Sequence, residues 1–175
     1  MLKIGIILGS TRPGRNGEAV AKWVLEQANL RGDAQYELVD VAQFNLPLLD
    51  EAVPPAYGQY QHEHTKAWSA QIAQYDGYVL VTPEYNHAPG AALKNALDFL
   101  YNEWNDKAVA FVGYGSAGGV RAVEQLRLIT AELQMAGVRN QVMLSLYTDF
   151  ENYSILKPMA HQQKNLNDML DQLVK

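Results

Sequence analysis

Residues 3–17 read KIGIILGSTRPGRNG, and this stretch decides the fold. Its first part, Lys3–Leu8, is a near-continuous apolar run of strand length. Its second part carries Gly9, Gly14 and Gly17 among hydroxyls and arginines and leads into a segment of helical period. A strand that is apolar on both faces must be covered on both faces, which is the habit of parallel sheets. The same unit recurs along the chain. Tyr36–Val41, Tyr78–Thr82, Ala108–Gly113 and Gln141–Leu146 are further strand-sized apolar runs. Between and after them, Val20/Trp23/Val24, Trp68/Ile72/Tyr75, Leu93/Ala96/Leu97/Leu100, Val123/Leu126/Thr130/Leu133 and Leu166/Met169/Leu170/Leu173 recur at helical spacing. This alternation predicts an α/β fold, a doubly wound five-stranded parallel sheet of order 2-1-3-4-5 with helices on both faces. Its 175 residues fit one domain spanning 1–175.

The balance of charge narrows the function. Lys and Arg number 14 against 19 Asp and Glu, giving a net charge of −5, and the hydrophobic fraction of 48% fits a folded core. An acidic chain lacks the basic footprint of a nucleic-acid binder. No apolar stretch approaches the ~20 residues that span a bilayer, and Ile4–Leu8 is too short for a secretory signal, so no membrane association and a cytoplasmic location are expected. The cysteine count of zero excludes disulfides, thiolate nucleophiles, cysteine-ligated zinc and cysteine-held iron–sulfur clusters. Any redox chemistry must come from a bound cofactor. One segment stays open: Asp50–Glu63 is either a functional loop or a surface crossover; the polar tail Gln162–Gln172 reads as a solvated helix face.

In open α/β sheets, ligands sit beyond the carboxyl ends of the strands, where strand order reverses. For order 2-1-3-4-5 that crevice collects the loops after strands 1, 3 and 4. The first, Gly9–Gly17, offers backbone N–H groups, Ser10, Thr11 and the guanidinium groups of Arg12 and Arg15 at a helix start, a setting for one terminal phosphate. The plainer reading is a tight turn with Asn16 as helix N-cap. The loop is no triphosphate P-loop, because Arg15-Asn16 stands where Lys and Ser/Thr are required. A G-x-G-x-x-G pattern occurs at Gly113, Gly115 and Gly118, after the fourth strand rather than the first, and the acid that should follow, Glu132, falls within a helix.

The second loop is Pro83-Glu84-Tyr85-Asn86-His87-Ala88-Pro89-Gly90, stiffened by two prolines. It is expected to present the N–H groups of Glu84, Tyr85 and Asn86 to the polar edge of a planar ring, with Tyr85 alongside. The third, Tyr114-Gly115-Ser116-Ala117-Gly118-Gly119, either admits a ligand closely, with Tyr114 flanking it, or packs a helix tightly on the sheet. A flat, polar-edged ring joined by a chain to one phosphate describes FMN.

Gly9-Ser10-Thr11-Arg12, the run Pro83-Glu84-Tyr85-Asn86 through Pro89-Gly90 to Leu93-Lys94-Asn95-Ala96-Leu97-Asp98, and Gly115–Gly119 with Arg121–Arg127 carry a further resemblance. In these the sequence resembles the NADPH-dependent FMN reductases, a flavodoxin-like family that includes quinone, azo-dye and chromate reductases. The resemblance implies that Ser10, Arg12 and Arg15–Gly17 hold the FMN phosphate, that Pro83–Asn86 meets the isoalloxazine edge, and that Ser116 with its glycines, Gly115 and Gly118, lies on the other side. It implies NADPH or NADH as co-substrate, a small-molecule electron acceptor, and a homodimer or homotetramer. Many relatives have serine where Arg15 stands; Arg15 either replaces that hydroxyl or faces solvent.

Other readings compete. A flavodoxin-like electron carrier would share the cofactor without consuming NAD(P)H. Ser116, Asp149 and His161 fall in the order of an α/β-hydrolase triad, but Tyr114 breaks the G-x-S-x-G elbow. His62-x-His64 lacks a third metal ligand nearby in sequence, and His87 is either a substrate contact or an ordinary loop residue. No catalytic acid or base and no metal site is expected.

Overall fold

A computed structural model describes all residues, 1–175. The apolar runs form β1 (Lys3–Leu8), β2 (Gln35–Asp40), β3 (Gly77–Pro83), β4 (Ala108–Gly115) and β5 (Ala136–Ser145). They pair in the order β2-β1-β3-β4-β5, every pair parallel, as the sequence predicts. The helices are α1 (Gly17–Asn29), α2 (Glu63–Ala73), α3 (Ala91–Asp98), α4 (Val120–Glu132) and α5 (Ala160–Leu173). A two-residue-strand hairpin, β6 (Phe150–Glu151) and β7 (Ile155–Leu156), precedes α5.

Side chains alternate across a strand, and here the alternation feeds two cores. Ile4, Ile6 and Leu8 pack beneath α1 and α5 with Val20, Val24, Leu166 and Leu170. Ile7 and Leu80 face the other way, against Trp68 and Ile72 of α2, Leu93 and Leu97 of α3 and Leu126 of α4. β3 is buried along its whole length. Burial on both faces is what fixes β1, β3 and β4 at the centre of the sheet and brings their carboxyl ends together.

Two details depart from the sequence reading. β5 begins at Ala136, five positions before the expected Gln141, and its pairing with β4 shifts register between Val109 and Phe111. The tail is not uniformly solvated: Gln162 is buried, and its Nε2 donates to the Met143 carbonyl at 2.8 Å and to Asp149 Oδ2 at 3.3 Å. Asp50–Glu63 is irregular apart from a 3-10 turn at Pro55–Tyr57 and is held by Glu51, which accepts from the N–H groups of Gln61 and His62. His64 Nε2 lies 2.9 Å from Asp50 Oδ1, yet no group of three His, Asp or Glu side chains is placed to hold a metal ion. No helix is long and apolar enough to cross a membrane.

Candidate functional site

The three loops meet as the topology requires. Arg12 and Asn16 from the first, Pro83, Glu84 and Tyr85 from the second, and Tyr114 and Gly115 from the third line one cleft, closed by Leu146 from the loop after β5. A second recess is lined by Gly9–Arg12, Tyr85 and Gly90–Ala92, and two of its lining residues, Ser10 and Tyr85, share an Oγ–Oη hydrogen bond of 3.2 Å. Arg12 and Tyr85 border both.

The first loop is rich in unused donors. The backbone N–H groups of Ser10, Thr11, Arg12, Gly14, Arg15, Asn16 and Gly17 have no acceptor in the chain. Helix starts leave such groups unpaired by geometry, and here the loop before α1 extends the row. Asn16 stands at the N-cap position without capping; its Nδ2 donates instead to the Tyr153 carbonyl at 2.8 Å, tying the loop to the β6–β7 hairpin. Arg12 is exposed and belongs to no ion pair, so its charge is free for a ligand. Arg15 is neither a solvent-facing side chain nor a free cation. Its Nη1 donates to Asp40 Oδ1 at 2.9 Å and to the Ser10 carbonyl, and its Nη2 to Asp40 Oδ2. The hydrogen bond to Asp40 raises the guanidinium pKa further above its ordinary value.

The second loop corrects the expectation of three free amides. The Glu84 N–H donates to the Tyr114 carbonyl at 3.1 Å, and Tyr85 and Ala88 exchange backbone bonds of 2.9 and 3.0 Å across a turn. Of the three, only the Asn86 N–H is without an acceptor. Asn86 and His87, at the turn's centre, have φ of 50° and 67°, the pairing of a type I′ hairpin turn. The Glu84 side chain is committed too. Its carboxylate accepts from the N–H of Arg121 at 3.0 Å, capping α4, and pairs with the Arg121 guanidinium, which also meets His87 Nε2 at 2.6 Å. Loop two is thereby fastened to the start of α4.

In the third loop the packing reading holds at two glycines. Gly119 (φ 71°) and Gly113 serve packing: a Cβ at Gly119 would lie 2.6 Å from the Tyr114 nitrogen and 2.7 Å from Gly113 Cα. Ser116 is exposed and lines neither recess. Tyr114 lines the cleft; it is largely buried, and its Oη passes over Gly17, where a Cβ would clash with it. That hydroxyl has no partner in the chain, and burial pushes its pKa above the usual tyrosine range. The hydrolase triad is not assembled. Asp149 is consumed by the N–H groups of Ser145 and Met159, each at 2.9 Å, with Thr148 and Gln162 also donating, and neither Ser116 nor Asp149 is hydrogen-bonded to His161.

An orphaned buried hydroxyl beside a row of free amides and one unpaired cation is a polar deficit that a phosphate-bearing ligand would satisfy. Fold and cleft together define a flavodoxin-like nucleotide-binding protein. The chain belongs to the NADPH-dependent FMN reductase family, whose model matches residues 2–149. It is 48% identical over 132 residues to an NAD(P)H-dependent FMN reductase of Nectria sp, covering 72% of this chain and 66% of that protein. Over 169 residues it is 38% identical to an NAD(P)H-dependent FMN reductase of Schizosaccharomyces pombe, covering 95% and 84%. An NADPH azoreductase of Bacillus sp. is 32% identical over 165 residues, covering 91% and 87%. Among solved structures, the flavoenzyme NAD(P)H:(acceptor) oxidoreductase FerB of Paracoccus denitrificans superposes with a TM-score of 0.77 at 18% identity, covering 99% of this chain and 97% of that one. The chain is an oxidoreductase whose cofactors are FMN and NAD(P)H.

The residues that sequence reasoning missed are Asp40, Arg121, Leu146 and Tyr153. Asp40 had a usable signal: it ends the strand beside β1, so in a 2-1-3 order it faces the phosphate loop. The other three are brought in by loop packing that no local pattern encodes.

Proposed function

We propose that the FMN phosphate binds the free amides of Ser10–Gly17 with Arg12 as its counter-ion, and that the isoalloxazine ring lies against Pro83–Asn86 and Gly115–Gly118. The observation that carries this reading is the row of unpaired amides ending at the orphaned Tyr114 hydroxyl. FMN held there would supply hydride uptake from NAD(P)H and electron transfer to a small-molecule acceptor; a quinone, azo compound, metal oxyanion or free flavin fits the reading, and the azoreductase relative supports it. The chain's contribution is binding, orientation and the electrostatics of the loops. We place the protein in the cytoplasm as a homo-oligomer. Leu48 and Tyr57, 83% and 70% exposed, support self-association, and sedimentation reads it directly.

Purified protein should absorb at flavin wavelengths and oxidise NAD(P)H, with FMN bound far more tightly than riboflavin. Equal affinity for the two flavins would remove the phosphate assignment; bound flavin without NAD(P)H turnover would make the protein an electron carrier instead. Ser116→Ala should keep its flavin and most of its turnover, because one neutral hydrogen bond contributes about 0.5–1.5 kcal/mol. Esterase activity present in the wild type and abolished in Ser116→Ala would instead support hydrolysis.

A further inference from the structure

The Arg15–Asp40 pair sits where the sequence offers a second phosphate ligand, and its geometry gives it a different task. The guanidinium engages both oxygens of Asp40 and the Ser10 carbonyl at once, and the two side chains are only 13% and 14% exposed. Asp40 Oδ1 also accepts from the Ala42 N–H at 3.0 Å, fixing the turn that follows β2. The arginine's charge is therefore compensated from inside the protein. Within the loop only Arg12 brings an uncompensated positive charge to the cleft.

The bond to the Ser10 carbonyl has a consequence one peptide further on. A trans peptide holds its C=O and the next N–H antiparallel in one plane. Anchoring the Ser10 carbonyl toward Arg15 therefore turns the Thr11 N–H to the opposite side, and that amide is among those with no acceptor in the chain. The loop's donors are set before any ligand arrives, which lowers the ordering cost of binding.

We propose that Arg15 and Asp40 form a brace that positions the phosphate loop, so that both residues govern FMN affinity without touching the phosphate. This rests on the phosphate-loop reading above, and it separates from the rival role for Arg15 by sign. If Arg15 were a ligand restrained by Asp40, Asp40→Asn would release it and tighten FMN. As a brace, the pair loses its bidentate geometry in Asp40→Asn, and FMN binding weakens.

The test is a fluorescence titration of the flavin-free protein with FMN and with riboflavin, for wild type, Asp40→Asn, Arg15→Lys and the double variant. Asparagine keeps the acceptor for Ala42, and lysine keeps the charge without the fork. Each single variant is expected to weaken FMN about tenfold, the scale of a lost charge-assisted hydrogen bond. Riboflavin affinity should move less than about threefold, since the brace acts on the phosphate loop, and the double variant should be little worse than either single one. Tighter or unchanged FMN binding in Asp40→Asn, or a parallel loss of riboflavin, overturns the brace; if Asp40→Asn does not fold, the same flavin ratio in Arg15→Lys decides. A wild type with no preference for FMN over riboflavin removes the phosphate-loop reading itself, an outcome distinct from a preference that survives in both variants.

Discussion

Arg12→Ala is expected to weaken FMN binding by about ten- to a hundredfold, while riboflavin binding and the melting temperature stay where they are. The magnitude follows from a hydrogen bond to a charged group, roughly 1.5–3 kcal/mol, in a protein whose only other loop cation is already paired. The neutrality toward folding follows from Arg12's exposure and its lack of any partner in the chain. Titration by flavin fluorescence checks the first part and thermal denaturation the second. An unchanged FMN dissociation constant would show that Arg12 faces solvent in the complex, and the phosphate would then rest on the amides alone.

Gly119→Ala should be the most damaging single change considered. The residue holds φ of 71°, and its Cβ would press on main-chain atoms of Tyr114 and Gly113 rather than on side chains that could turn aside. The left-handed conformation costs an L-residue about 1–2 kcal/mol, and overpacking against a fixed strand adds about 1–3 kcal/mol. The melting temperature should fall by roughly 5–15 °C on the usual scaling for a chain of this size. The same strain bears on α4's first turn, where Arg121 meets Glu84, so flavin affinity should fall with it. A variant as stable as the wild type would mean that β4 and α4 are less tightly seated than their contact distances require.

How far the sequence could be read depends on the range of the signal. The apolar period of β1, β3 and β4 is local, and with the rule that ligands gather at strand carboxyl ends it located the cleft. Three committed side chains were missed for one reason, although for Arg15 the strand order held a signal. Arg15 was visible as a cation in an anion loop, but Asp40, which takes its charge, lies 25 residues on. Glu84 reads as a cleft residue until α4, whose start it caps at Arg121, is placed beside it 37 residues later. Gln162 reads as one polar residue in a polar tail, while its role is set by the Met143 carbonyl and the Asp149 carboxylate. Partner choice between groups distant in sequence is decided by tertiary placement, and residue identity alone leaves it open.

The donors that line the first loop belong to the main chain, and only a change to proline deletes one. Random substitution at Thr11 or Asn16 alters a side chain and leaves the amide beneath it in place. On the proposed phosphate reading, the positions at which one codon change strongly weakens the hold on the cofactor are therefore few: Arg12, the residues that hold the loop's shape, and the glycines. On that reading, a lineage built on this cradle keeps its hold on the phosphate through most side-chain changes in the loop.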